Sequence, residues 1–382
     1  MQVHRLNSMI LKILGVWKPY KDRYYIFKFY KINLTIFIFI FMIAQFVTVL
    51  NEDTAKIWDR KIAFSVGFIS LMGLIKRLNI MYQQKNITDI FETLKNDKPF
   101  KIEDQSEKNI QDYHYRCLKR LTLIFTSCAV IGAILHLGKK LNSHELPILP
   151  FGTGILVEIS NQFFYKLMSY ILTTLSFIGI LMTVSYNTLF FTMMMIICSQ
   201  VDVLKYRYQI MVENLKINRS DDQNIDDKLI IEKKIITDFV DNHSEVLEMS
   251  QKICDIFSTI IFMQYAYSTI GLCLSSYVLT RDILLSAEFL SHTIIPSLYA
   301  LEISLICYIS NEMKNQYEEL YDAIYDVDWT NFDQSTKKSM MILMMKTREP
   351  FFFKCGKLFE PSRESLLAVC TIFILIFHLI QY

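Results

Sequence analysis

The apolar residues of this chain are gathered into blocks long enough to cross a lipid bilayer, and that feature constrains its fold more than any other. An α-helix needs about 17 to 25 mainly apolar residues to span a hydrocarbon core about 30 Å thick. Seven blocks answer to this pattern, at residues 32–50, 62–80, 121–137, 167–198, 253–279, 289–309 and 366–380. The second is interrupted by Lys76 and Arg77, whose long side chains are expected to snorkel to a cytoplasmic boundary. The fourth is longer than one crossing requires, so it should tilt or continue into water as helix. The last is barely long enough. With 52% hydrophobic and only 20% charged residues, the expected fold is an all-α membrane protein with seven transmembrane helices.

Lys and Arg set the orientation. Thirty-three of the 40 fall on the N-terminal segment and on the stretches between blocks two and three, four and five, and six and seven; the alternate stretches hold the other seven. This asymmetry predicts a cytoplasmic N-terminus and an extracellular C-terminus, the reverse of a G-protein-coupled receptor. An Asp22-Arg23-Tyr24 triplet precedes the first block instead of following the third, and the last block has no Asn-Pro-x-x-Tyr. None of the eight cysteines falls in a predicted outer loop, which argues against structural disulfides. The sequons at Asn86, Asn218 and Asn242 all fall on the predicted inner side, and Asn33 lies at the membrane edge. None should be glycosylated. The polar N-terminal segment also lacks the short apolar core of a signal peptide.

The expected organisation is a cytoplasmic N-terminal segment (1–31), helices one to four (32–198), a cytoplasmic helical extension (199–252), helices five and six (253–309), a cytoplasmic segment (310–362) and a final helix (363–382). Within the extension, residues 228–249 carry Leu229, Ile235, Ile236, Phe239, Val240 and Leu247 at roughly helical spacing among charges, a stripe that must be buried against a neighbour or another subunit. Residues 339–345 predict a short Met-rich helix that ends before Pro350.

Catalytic motifs are absent: the chain has no Gly-rich phosphate loop, His-Glu-x-x-His, Cys-x-x-Cys or nucleophile elbow. Neither an enzyme nor a cofactor or metal is expected. Glu302 is the one acid deep inside a block and reads as a paired structural residue more readily than as a carrier site. Neither repeats nor a pair of broken helices point to a transporter. A net charge of +2 gives no reason to expect nucleic acid as a partner. What remains is an aromatic cluster on the predicted outer half. Phe64, Phe68, Leu135, His136, Thr173, Phe177, Ile178 and Tyr299 could line a small apolar cavity with a few polar handles. Ordinary helix packing is the plainer reading of any one of them. In the last block, an apolar face could gate a pore by wetting.

Four segments resemble the insect odorant receptors. They are Leu11-Lys-Ile-Leu-Gly15-Val-Trp17-Lys-Pro19; His243 followed by the Phe257–Gln264 run and Cys273; Tyr321, Ala323, Tyr325 and Trp329 after block six; and Arg348-Glu-Pro350, Gly356-Lys-Leu-Phe359 and Ser362-x-Glu364-Ser365 before the last helix. The resemblance implies an odorant-gated, nonselective cation channel in the plasma membrane of olfactory sensory neurons. It implies a heterotetramer with the odorant receptor co-receptor, cytoplasmic extensions forming an inter-subunit anchor, and a pocket in the outer half of the bundle for small hydrophobic volatiles. The last helix would line the pore with Ile372, Leu375, Ile376 and Leu379; the apolar gate would be Leu379 in the preferred register set by Ser362, or fall on His378 in the register set by Gln381. The family's Ser-Tyr-Ser-Tyr-like run is replaced here by Phe373-Ile-Leu-Ile376. Gln381-Tyr382 echoes the Gln-Phe ending of gustatory receptors, but Ile374 and Leu375 stand in place of their Thr-Tyr.

Overall fold

The fold was described from a computed structural model, which places residues 10–12, 14–17, 24–50, 57–96, 100–141, 162–218, 225–279, 287–327 and 332–381. The helices are α1 (Tyr24–Leu50), α2 (Ile57–Asn96), α3 (Gln105–Leu141), α4 (Gln162–Asn218), α5 (Ile225–Leu279), α6 (Ala287–Tyr325), α7 (Gln334–Thr347) and α8 (Arg363–Gln381). Among the described residues there is no β-strand, only an isolated bridge between Cys355 and Phe359. Among the described residues, four stretches are long and apolar enough to cross a bilayer: Lys28–Val47, Tyr170–Glu213, Ile230–Ser275 and Thr293–Tyr325.

Helix α4 is the axis of the bundle. It packs against α1, α2, α3, α5 and α6, and Tyr186, Phe190, Phe191, Met193, Met194 and Ile197 along it are wholly buried. Its 57 residues reach about 85 Å at about 1.5 Å per residue, so the fourth block and its cytoplasmic continuation are one helix. Likewise, the amphipathic segment at 228–249 and the fifth block are both turns of α5. Of the expected stripe Phe239 is buried and Ile235, Ile236 and Leu247 are half-buried, whereas Val240 is exposed. Peripheral α1 turns Phe29, Ile36, Phe37 and Ile40 outward, the distribution expected of a lipid-facing helix.

The ends of the last two helices are specified locally. The Asp333 carboxylate caps α7 by accepting from the Ser335 N–H at 2.9 Å, and the helix stops three residues short of Pro350. Ser362 and Ser365 exchange backbone-to-side-chain bonds at 2.8 and 3.2 Å, a reciprocal cap at the start of α8. Between these helices Gly356 takes φ +58°, and a Cβ there would meet the Phe262 ring at 2.9 Å. The Gly356 N–H donates to Ser258 Oγ, whose hydroxyl donates to the Lys354 carbonyl. The Gly-Lys-Leu-Phe motif thus pins the approach to α8 onto α5.

Candidate ligand-binding site

A cavity of about 150 Å³ lies within the bundle, walled by α2, α3, α4, α5 and α6. Its walls are mainly apolar: Val66, Ile69 and Met72 from α2, Phe125 and Ala129 from α3, Ile180 and Val184 from α4, and Ile294, Ile295 and Leu298 from α6. Gly179 also lines it, with no heavy atom within 4 Å of the position its Cβ would take. Gly132 has a different task. A Cβ there would come within 2.9 Å of Leu298, so the missing side chain is what lets α3 approach α6.

Two polar groupings border this space. In the first, Tyr267 of α5 and Tyr299 of α6 are joined by a hydrogen bond between their hydroxyls, with ring centroids 5.3 Å apart in edge geometry. Gly271 makes room for the pair, because a Cβ there would fall 2.6 Å from the Tyr299 ring. In the second, one turn along α6 from Tyr299, Lys76 and Glu302 form an ion pair of 3.5 Å, with side chains 1% and 8% exposed. Lys76 also donates to Asn187 Oδ1 at 3.3 Å, and Glu302 accepts from Asn187 Nδ2 and from the Ser268 hydroxyl at 3.2 Å. Removing both charges from water is costly, and the pair is tolerated because hydrogen bonds complete its coordination. Gln264, 1% exposed, also lines the cavity, and neither its Nε2 nor its Oε1 has a partner. Such a wall accepts a small apolar molecule with one hydrogen-bonding group.

The expectation that Lys76 and Arg77 snorkel is overturned, because both are buried in protein. Each finds partners inside the bundle, which removes the need to reach water. Arg77 donates to the Leu14 carbonyl, to the Lys31 carbonyl at 3.2 Å and to Thr35 Oγ1 at 2.9 Å. That guanidinium ties the N-terminal Leu-Gly-x-Trp segment to α1 and α2. Gly15 turns there with φ +70°, leaving 3.0 Å between the Tyr30 ring and the position of a Cβ.

The model of the seven-transmembrane odorant receptor family matches residues 62–372. The chain belongs to that family. Odorant receptor 9a of Drosophila melanogaster is 19% identical to it over 87% of this chain and 83% of that receptor. Odorant receptor 67a of the same fly is 25% identical over a shorter match, covering 33% of this chain and 31% of its relative. The fold is that of the olfactory receptor OR5 of Machilis hrabei, solved with eugenol, with a TM-score of 0.80, 12% identity and coverage of 99% of this chain and 97% of that one. This odorant receptor is therefore a helical, multi-pass membrane receptor and not an enzyme.

Of the receptor's candidate ligand contacts, Tyr299 lines the cavity. Phe68 lies one layer behind it, stacked on Tyr267 at 5.8 Å and 8°, with Phe64 packed beside it at 4.6 Å. On α4 the wall comes from Ser176, Gly179, Ile180, Thr183 and Val184, residues that share one helical face. Thr173 is half-buried, as is Phe177, and neither is part of this wall. Ile178 packs instead against the Ile38, Met42 and Leu74 cluster at α1 and α2. Leu135 and His136 are on α3, Ile376 and Leu379 on α8, with side chains outside the described residues. Ile372 and Leu375 are exposed on α8. The reading of sequence missed the contribution of α5. Its signal was present in Gln264, Tyr267, Ser268 and Gly271, a polar and small-residue face at helical spacing within an apolar block.

Proposed function

We propose that this chain is the odorant-binding subunit of a ligand-gated, nonselective cation channel, working with the odorant receptor co-receptor in the plasma membrane of olfactory sensory neurons. The observation that carries the reading is the 150 Å³ cavity with its apolar walls and the unpartnered amide of Gln264. A cavity of that size accepts a benzene-sized ring, and the phenol-type ligand eugenol named for the Machilis receptor is of the same chemical kind. Binding favours the open channel to the extent that the ligand fits the open cavity better than the closed one.

The remaining surfaces suit an assembly. Helix α8 packs on α5 and α6 and leaves Leu367, Ile372, Ile374 and Leu375 exposed. In the proposed channel its face bearing Ile372, Leu375, Ile376 and Leu379 lines the pore, with Leu379 as the apolar gate. Met341, Ile342 and Met345 on α7 are exposed as well and would meet neighbouring subunits in a cytoplasmic anchor. The Lys and Arg asymmetry supports a cytoplasmic N-terminus and an extracellular C-terminus.

The test is whole-cell current from cells expressing the chain with and without the co-receptor, under a panel of small volatiles, with G-protein signalling blocked and surface expression measured. A rapid inward current that needs both chains and survives the block is expected. Robust current without the co-receptor would point to a gustatory-type homomer. A response abolished by the block would overturn the channel reading.

A further inference from the structure

A second and larger cavity, of about 840 Å³, lies between the C-terminal half of α2, the N-terminal half of α3 and the middle of α4, with Trp17 in its wall. It shares no lining residue with the first cavity. Phe125, which lines the first, meets Phe191 edge-on at 5.8 Å, and Thr192 beside Phe191 lines the second. The two spaces therefore occupy successive levels along α3 and α4.

The wall of the second cavity is apolar and aromatic where it is deep, with Phe91, Phe100, Leu118 and Met195 among its members. Three polar atoms of residues lining it are buried and have no partner: His114 Nδ1, Tyr115 Oη and Ser199 Oγ. His114 is 2% exposed, and its Nε2 stands 3.2 Å from Asp202 Oδ2. The carboxylate can only accept, so His114 Nε2 carries a hydrogen and Nδ1 is left free to hydrogen-bond a guest. The tyrosine and serine hydroxyls can each donate or accept. Buried polar atoms are ordinarily paired, and three unpaired ones around one cavity mark a place for a hydrogen-bonding guest. The lining holds Lys95 against Glu92 and Asp112, a balance of one negative charge that disfavours an anionic head group.

We infer that this cavity binds an uncharged amphiphile with a hydroxyl-bearing head, of the monoacylglycerol type, drawn from the inner leaflet. The choice of leaflet rests on the proposed topology, in which residues 88–95 follow the inner end of the second crossing and residues 111–118 precede the third. There the cavity stands at the cytoplasmic boundary of the bilayer, where such a molecule keeps its chain in apolar surroundings and its head among polar groups.

The test is photolabelling of the full receptor with its co-receptor in native membranes, using a decanoyl glycerol that carries a diazirine at the chain end, with labelled sites read by peptide mass spectrometry. Saturable labelling is expected in peptides covering 88–100, 111–118 and 192–200. Unlabelled 1-decanoylglycerol should compete; decane, without a head, and decanoate, with a charge, should compete at least tenfold less well. Ser199→Phe fills the space and should reduce labelling at least tenfold at equal surface level. Tyr115→Phe, which deletes one hydroxyl and leaves the packing intact, should reduce it several-fold and serves if the larger substitution does not fold. Labelling that never saturates, that spreads over outward residues of α1 such as Phe37 and Ile40, that decane competes equally well, or that Tyr115→Phe leaves unchanged would overturn the site. Glycosylation of Asn86 reports the side independently, since it precedes the wall residue Thr88 on α2. A glycosylated Asn86 with saturable labelling intact would overturn the leaflet and the topology but not the cavity.

Discussion

Gly179 lines the cavity proposed for the odorant and has no heavy atom within 4 Å of its missing Cβ, so a side chain placed there projects into the space a ligand would use. Each carbon of ligand that is displaced forfeits about 0.8 kcal/mol of burial. Gly179→Ala introduces one carbon and should weaken odorant potency about fourfold, taking about 1.4 kcal/mol per tenfold. Gly179→Leu introduces four carbons, a loss of about 3 kcal/mol, or about 200-fold, with Gly179→Val in between. The helix itself should gain, since alanine in a helix interior is favoured over glycine by about 1 kcal/mol. Loss of response would therefore not be loss of fold. The assay is the dose–response of odorant-evoked current from the receptor with its co-receptor, paired with thermal stability of the detergent-solubilised complex. Potency of Gly179→Leu within threefold of the parent, at normal surface level, would refute the assignment of the odorant to this cavity.

Other expectations concern the polar groups. Glu302→Gln leaves Lys76 buried without its counter-charge and should destabilise the bundle by about 3–5 kcal/mol. The Lys76→Met/Glu302→Met double variant should recover most of that in the same thermal assay. Gln264→Leu should lower potency for hydroxyl-bearing odorants about fivefold relative to hydrocarbons of equal size, because a buried amide hydrogen bond is worth about 1 kcal/mol; an unchanged ratio would remove Gln264 from the site. Burial pushes the Glu107 carboxyl up, but the Arg207 guanidinium at 2.7 and 2.9 Å and the Glu103 N–H at 2.8 Å outweigh it and hold it below its ordinary value. Stability from that arrangement is present above the unfolded carboxyl value of about 4.3 and is lost as pH falls through the lower folded value. The gap in thermal midpoint between the parent and Glu107→Gln should thus hold from pH 7 to 5 and shrink below about pH 4. Leu379→Gln should raise basal current or alter gating in the same whole-cell recordings, and unchanged currents would remove that residue as the gate.

What the sequence determined by itself was the material of the fold. Blocks of apolar residues at membrane length require helices, because backbone groups in lipid must pair within the segment, and the spacing of Ile235, Ile236, Phe239 and Leu247 carried the helix of α5 into its cytoplasmic part. The end of α7 before Pro350 was likewise legible, since such specifications act over a few residues. What tertiary structure decided was the phase of each helix about its own axis. Phe68 and Ile69 are adjacent in sequence, yet only Ile69 reaches the cavity, because neighbouring side chains on a helix point about 100° apart and packing chooses between them. The fate of Lys76 and Arg77 was also tertiary. Their partners Asn187, Glu302, Leu14 and Thr35 lie 42 to 226 residues away in the chain, and only the closing of α2 against α1, α4 and α6 turns two charges that read as a membrane boundary into buried fastenings of the bundle.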